Sequence, residues 1–326
     1  MADYEGVRGR VSVVTPVYNG EGHLHRLLES VLAQDWDDVE MILADDGSQD
    51  GTLEAARAFQ ARFQDRGFSF RILSAEHRNA SAAINRALPL VTGEFLIWPD
   101  SDDALLPGSI RVRAAFLREN PRYQCVRSLP SYRGEDGAPA PPQENLAPVE
   151  SEELFFPVLM GESFVCCGCY MLRCRAFFSI YPQRRIPECD WGQNFQMLLP
   201  FLYRYRCPTL PEELYAVYVT ANSHSRRELT PAEEAERYAA FEALVDQLAG
   251  ICPIRRPEER KRIALWKHRR RYALYQRHAD RPRALAELVW LWVLGDVRTS
   301  RALFEAARTF PLLRRLWRGL RRRIKK

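Results

Sequence analysis

The chain has 326 residues, 46% of them hydrophobic and 27% charged, with a formal net charge of +5. That composition describes a soluble globular protein, and no run reaches the roughly 18 uninterrupted apolar residues of a membrane-spanning helix. The charge is unevenly placed: from Arg255 onward Lys and Arg outnumber Asp and Glu by 23 to 6, whereas the residues before it carry 24 against 36. An acidic body with a basic tail predicts contact with something anionic, nucleic acid or membrane lipid. The opening MADYEGVRGRVSVV has no signal-peptide core before its first strand-like run, so the expectation is a cytoplasmic protein with reduced cysteines.

In chain order, Val11 to Tyr18 is short and β-branched and reaches Pro16, which predicts a buried strand running into a loop. Leu24, Leu27, Leu28, Val31 and Leu32 then recur at helical spacing. Val39 to Ala44 is a second strand, stopped by Asp45, Asp46 and a Gly-Ser turn. A helix over Thr52 to Phe63, a strand over Phe68 to Leu73, a helix over Ser81 to Leu90 and a strand over Glu94 to Trp98 follow. Such alternation predicts the α/β class, with a parallel, doubly wound, Rossmann-like sheet flanked by helices. Arg133 to Ser151, rich in Pro, Gly and polar residues, reads as a long surface loop. Strand and helix character returns around the cysteine-rich ESFVCCGCYMLRCRAFF, and IPECDWGQNFQMLLPFLYRY begins as a loop and becomes a helix. ELYAVYVT is a strand followed by the polar turn ANSHSRR, and from Pro231 the pattern is helical almost to the end.

Ligands of doubly wound sheets bind beyond the carboxyl ends of strands. Asp45-Asp46 and Asp100, Asp102 and Asp103 of GEFLIWPDSDD fall there. Carboxylate oxygens suit Mg2+ or Mn2+, and Mg2+ typically takes one or two carboxylates together with substrate phosphates. A solvated turn or helix cap explains one such cluster equally well.

Four stretches in order, VSVVTPVYNGEGHLHRLLESVLAQ, ILADDGSQDGT, NASAAINRAL and GEFLIWPDSDD, resemble family 2 glycosyltransferases with the A-type nucleotide-sugar-binding fold. The resemblance covers the first 110 or so residues, fades after Asp103 and returns loosely through Ser225. It implies a catalytic domain over 1–230, with a nucleotide-sugar half to about 110 and an acceptor half beyond it, and a basic helical extension over 231–326. It also implies roles. Thr15, Pro16, Val17 and Tyr18 line the nucleotide pocket, and Asp45 or Asp46 accepts from an N–H of uracil or thymine. Asn79, Ser81 and Asn85 lie near ribose, sugar or phosphate. Asp100 and Asp102 hold the metal-diphosphate, with Ser101 between them and Asp103 as a structural partner. Ile84 departs from the pattern, standing where many members carry Arg or Lys.

Inverting sugar transfer needs a general base for the acceptor hydroxyl. Members often supply it from a Glu-Asp pair opening a helix. The matching piece here places Gln193 and Asn194 there, and an amide is no base at neutral pH. Asp190 is therefore the expected base, with Glu188 the other nearby carboxylate; a helix cap or ion pair at Asp190, and a purely hydrogen-bonding role for Asn194, stay open. His224 is implied as a further metal ligand, with Arg226 and Arg227 as phosphate contacts. Cys166, Cys167, Cys169 and Cys174 lack the usual zinc-hook spacing and read as buried small hydrophobes.

The implied activity is inverting transfer from a nucleotide-diphospho-sugar, UDP- or dTDP-linked, to a saccharide or lipid-linked saccharide acceptor, in surface polysaccharide or glycolipid assembly. Arg314 to Lys326, where Arg and Lys interleave with Trp and Leu, suggests an anionic membrane face. No nucleic-acid recognition motif accompanies the charge. A nucleotidyltransferase would carry a Lys in its Gly-rich phosphate loop, and PVYNGEGHLH has none. A non-catalytic sugar-nucleotide-binding protein of the same fold is the alternative.

Overall fold

The computed structural model describes residues 4–146, 149–219 and 229–296. His224, Arg226, Arg227 and the stretch from Arg314 to Lys326 lie outside them. Two compact units are present: Met1–Arg227 with Asp246–Cys252, and Glu228–Val245 with Pro253–Lys326.

The first unit starts with β1 (Val7–Val17), α1 (Leu24–Leu32), β2 (Val39–Asp45), α2 (Thr52–Ala58), α3 (Gln60–Asp65), β3 (Ser69–Ser74), α4 (Ala80–Ala87) and β4 (Gly93–Ile97). It continues with β5 (Ala104–Leu105), α5 (Ser109–Glu119), β6 (Cys125–Gly134), α6 (Phe155–Leu159), β7 (Tyr170–Arg173), α7 (Cys174–Ile180), α8 (Gln193–Arg204) and β8 (Thr209–Val219). The strands form one sheet in the order β3-β2-β1-β4-β7-β6-β8-β5. β2 is buried throughout and β1 from Val11 onward. That is why their sequences read as nearly unbroken apolar runs: a parallel strand covered on both faces has no polar side. Leu24, Leu27, Leu28 and Val31 of α1 are buried, following the predicted stripe.

The α/β expectation of a mostly parallel sheet holds for β3, β2, β1 and β4. Beyond them the sheet is mixed: β7 runs antiparallel to both β4 and β6, and β5 antiparallel to β8. Of the predicted helices, that over Thr52 to Phe63 is interrupted and that over Ser81 to Leu90 ends early. At Phe59 the chain tightens, its N–H donating three residues back to Ala56 O at 3.1 Å, before helix resumes and buries Phe63 against Phe70. The helix from Ala80 stops at Ala87 and passes into a 3-10 turn over Leu88–Leu90, because Pro89 has no N–H to extend it.

Glu40 is a buried carboxylate inside β2 that the strand pattern did not single out. It accepts from Ser12 Oγ at 2.5 Å, Thr92 N at 2.6 Å, Thr92 Oγ1 at 2.8 Å and Gly93 N at 3.1 Å. It thereby ties the start of β4 to β1 and β2 and sets where β4 delivers its carboxyl end.

The second unit holds most of α9 (Pro231–Ile251), with α10 (Pro257–Arg277) and α11 (Arg281–Val293). Much of α10's charge is paired inside this unit: Arg269 with Asp296 at 2.9 Å, Arg271 and Arg277 with Glu242 and Glu234, and His278 with Glu234 at 2.7 Å. α11 leaves Val289, Trp290 and Val293 exposed. Among the described residues no helix is long and apolar enough to cross a membrane.

Candidate active site

The chain winds β1, β2, β3 toward one edge and then places β4 on the other side of β1. The reversal opens a crevice at the carboxyl ends of β1 and β4, the favoured ligand position in such sheets. Thr15 Oγ1 donates to Pro99 O at 3.1 Å across that crevice. Val17 O accepts from Asp46 N at 2.8 Å, which holds the β2 end beside the β1 end.

Asp45, which ends β2, and Asp46, which follows it, are both buried and engaged. Asp45 accepts from Gly47 N at 3.2 Å, Ser48 N at 3.2 Å and Ser74 Oγ at 2.8 Å, so it shapes its own turn. Asp46 pairs with His77 at 2.9 Å and Arg86 at 3.1 Å and accepts from Arg78 N at 3.1 Å. Tyr18 stacks on the His77 ring, centroids 4.1 Å apart. Gly47 permits this packing: it has φ +76°, and a Cβ there would sit 2.6 Å from His77 N. Ile84 is buried, and Arg86, two residues on, brings a guanidinium to the β2 end. His77 lies just before NASAAINRAL and Arg86 within it, and neither carried a sequence signal of its own.

The loop after β4 crowds carboxylates. Asp100 and Asp102 are half-buried and Asp103 is buried. Burial, reinforced by the charges of Asp102 and Glu144, pushes Asp100 up to about 7. Burial and then Asp102 and Asp100 raise Asp103 as well, although Tyr218 N donates to it at 2.9 Å. Glu144, from the long loop after β6, is raised by its burial and accepts from Val165 N. Nothing in the sequence of that loop announces its return to the strand ends. Asp100 N donates to Tyr215 Oη at 3.0 Å, and Arg26 donates to the backbone carbonyl of Asp102 at 2.9 Å. No described Lys, Arg or His forms an ion pair with Asp100, Asp102, Asp103 or Glu144.

Asn79, Ser81 and Asn85, expected near ribose, sugar or phosphate, each hold a segment distant in sequence. Asn79 Nδ2 donates to Asp190 Oδ1 at 2.9 Å. Ser81 Oγ donates to Cys189 O at 2.7 Å. Asn85 Nδ2 donates to Ile186 O at 3.0 Å, and its Oδ1 accepts from Ile186 N at 2.8 Å. Asp190 is exposed. Asn194 lies in the first turn of α8, and its Oδ1 has no hydrogen-bond partner among the described residues. The cysteines Cys166, Cys167, Cys169 and Cys174 are free and buried, and burial raises the Cys167 thiol well above its ordinary value. No group of three His, Cys, Asp or Glu among the described residues is arranged to hold a metal.

A model of glycosyl transferase family 2 matches residues 12–180, a span that runs from within β1 to the end of α7 and includes the carboxyl ends of β1, β2 and β4. The chain belongs to glycosyltransferase family 2. Among curated relatives, this glycosyltransferase is 28% identical to EpsE of Bacillus subtilis (strain 168) over 228 residues, 68% of this chain and 77% of EpsE. It is 34% identical to the glycosyltransferase GlyA of Streptococcus pneumoniae serotype 4 over 160 residues, 48% of this chain but only 20% of GlyA. Its fold resembles S. aureus TarS 1-349 in complex with UDP-GlcNAc, with a TM-score of 0.61 at 18% identity, covering 92% of this chain and 87% of that one. It also resembles the mannosyltransferase PcManGT of Pyrobaculum calidifontis in complex with GDP-Man and Mn2+, with a TM-score of 0.56 at 19% identity, covering 95% and 83%. The structural likenesses show the A-type fold, and the family match shows a glycosyltransferase.

The donor set of this family 2 enzyme fits a hard cation. Asp100 and Asp102 offer oxygen ligands in an excess of negative charge that no described cation offsets.

Proposed function

We propose that the chain is an inverting glycosyltransferase whose donor is a UDP- or dTDP-linked sugar and whose acceptor is a saccharide or lipid-linked saccharide hydroxyl. Residues 1–230 are its catalytic domain, donor half first, and 231–326 an accessory extension. The observation that carries the reading is the carboxylate crowd at the end of β4 in a family 2 sheet.

Thr15 to Tyr18 and Asp45-Asp46 form the nucleotide side of the crevice, with a backbone that the His77, Arg78 and Arg86 contacts hold rigid. Asp100 and Asp102 would hold Mg2+ or Mn2+, with His224 as a further ligand. The cation would supply charge compensation for the departing nucleoside diphosphate. The acceptor oxygen attacks the anomeric carbon as the bond from that carbon to the diphosphate oxygen breaks. The bonding pair leaves with the nucleoside diphosphate, and the acceptor proton passes to Asp190. Asn194 Oδ1, buried and without a partner among the described residues, would accept from an acceptor hydroxyl only once that surface opens. The product's destination is surface polysaccharide or glycolipid, and the basic C-terminus would hold the enzyme against an anionic membrane face.

The test is a panel of nucleotide sugars with Mn2+ or Mg2+, read by release of nucleoside diphosphate. Release from a UDP- or dTDP-sugar that falls at least about 100-fold in Asp190→Ala fits the magnitude of lost general-base catalysis. Unchanged release in Asp190→Ala would remove the base from the scheme.

A further inference from the structure

Asn79 opens α4 and uses both ends of its amide. Its Oδ1 accepts from Ala82 N at 2.8 Å, capping the helix. Its Nδ2 donates to Asp190 Oδ1 at 2.9 Å, across 111 residues of sequence. The next turns of the same helix hold the same segment. Ser81 takes both backbone groups of Cys189, donating to its O at 2.7 Å and accepting from its N at 3.2 Å. Asn85 does the same for Ile186 and also donates to Glu188 Oε1 at 3.2 Å. Arg78, just before the helix, pairs with Glu188 at 2.9 Å.

Two features give the Asn79 bond a meaning beyond packing. Backbone bonds to Ser81 and Asn85 already anchor the 186–190 segment, so the Asn79 amide is not needed to dock it. What it fixes is the rotamer of an exposed carboxylate. Asp190 Oδ2 has no hydrogen-bond partner among the described residues. The donor is also neutral. An Arg or Lys in its place would pair with the carboxylate and weaken it as a base, whereas an amide orients one oxygen and leaves the other with its lone pairs. The stretch that does this is continuous with the nucleotide side, since His77 stacks on Tyr18 and Arg78 N donates to Asp46.

We propose that Asn79 is a positioning residue: it holds Asp190 Oδ1 so that Oδ2 faces the acceptor hydroxyl. The proposal rests on the reading of Asp190 as the base. It differs from the sequence expectation, which put Asn79 against the donor.

The test uses the full-length protein in three variants, with the nucleotide sugar that releases nucleoside diphosphate in the panel above, and with UDP affinity and thermal melting measured alongside. Asn79→Ser keeps a capping hydroxyl but loses the donor to Asp190. The expected result is a kcat lower by about 10-fold, within the reach of a misaligned base, with UDP affinity within about 2-fold and the melting temperature retained. Asn79→Asp keeps the cap and sets a second carboxylate beside Asp190. The expected result is an acid limb of the kcat profile displaced upward by about 1 pH unit, since a like charge disfavours ionisation. Asp190→Asn is expected to lose transfer almost entirely. Should Asp190→Asn lose transfer while both Asn79 variants keep the wild-type kcat and pH profile, the positioning role is overturned and the base stands. Weaker UDP binding at unchanged kcat in Asn79→Ser would make Asn79 a donor contact and likewise overturn it. Transfer surviving in Asp190→Asn would remove the base itself, and the positioning role with it.

Discussion

Gly168 has no room for a methyl group. A Cβ there would lie 2.1 Å from Tyr215 Cζ, and the Tyr215 hydroxyl accepts the Asp100 N–H. The glycine inside CCGC thus serves the carboxylate loop through a tyrosine from β8. Gly168→Ala should cost about 1–3 kcal/mol of stability, the usual range for overpacking, and should lower transfer because Tyr215 must move from under Asp100. Thermal melting and steady-state rates check both. Asp100 itself gives a pH prediction. Its folded value, about 7, stands above the ordinary 3.8. Between these values the folded chain keeps a proton that the unfolded chain has released, so metal-free stability falls as pH rises through the window. Above about 7 the full cost of the buried charge is present. Denaturant titrations at a series of pH values should show this fall, and Asp100→Asn should flatten it, though not abolish it, because Asp103 is also raised. An unchanged slope in Asp100→Asn would assign the effect elsewhere.

At the scale of elements, α4 joins the two halves of the sheet unit. Its polar face reads as donor-binding in sequence because NASAAINRAL matches a donor-side motif, yet Asn85 is spent on the backbone of Ile186. Asn85→Ala leaves that buried peptide without partners, at about 1–3 kcal/mol. Hydrogen exchange at the Ile186 amide should speed up well beyond that at β1 and β2. Equal exchange would mean the segment is held by something else. The same helix shows what sequence can and cannot carry. β1, β2 and β4 were readable because a buried parallel strand writes itself as a short apolar run, and α1 because its leucines repeat at helical spacing. The antiparallel β7 was not readable as such, since direction leaves no mark on a four-residue strand. Asp100, Asp102 and Asp190 were nominated from local motifs. Glu144, His77, Arg86 and the Asn79–Asp190 contact were not, because each depends on a contact between segments far apart in sequence.

At the scale of the molecule, the basic balance after Arg255 divides in two. Within α10, Arg269, Arg271 and Arg277 are matched to carboxylates of their own unit. From Arg314 to Lys326 the sequence carries eight Arg and Lys and no Asp or Glu. Membrane attraction should therefore follow those residues and not α10. Flotation with anionic liposomes, without detergent, should fall strongly when the chain ends at Phe310 and should fall with added salt in the full chain. Equal flotation of both chains would remove the membrane role of the terminus.

The most direct test of the whole account is the affinity of UDP for the purified chain, measured by calorimetry with and without Mn2+. If Asp100 and Asp102 grip a cation that in turn grips the diphosphate, Mn2+ should tighten UDP by at least about 10-fold, on the order of 1.4 kcal/mol, and Asp100→Ala with Asp102→Ala should erase that gain. UDP affinity that ignores both the cation and the double substitution would contradict the assignment of the site.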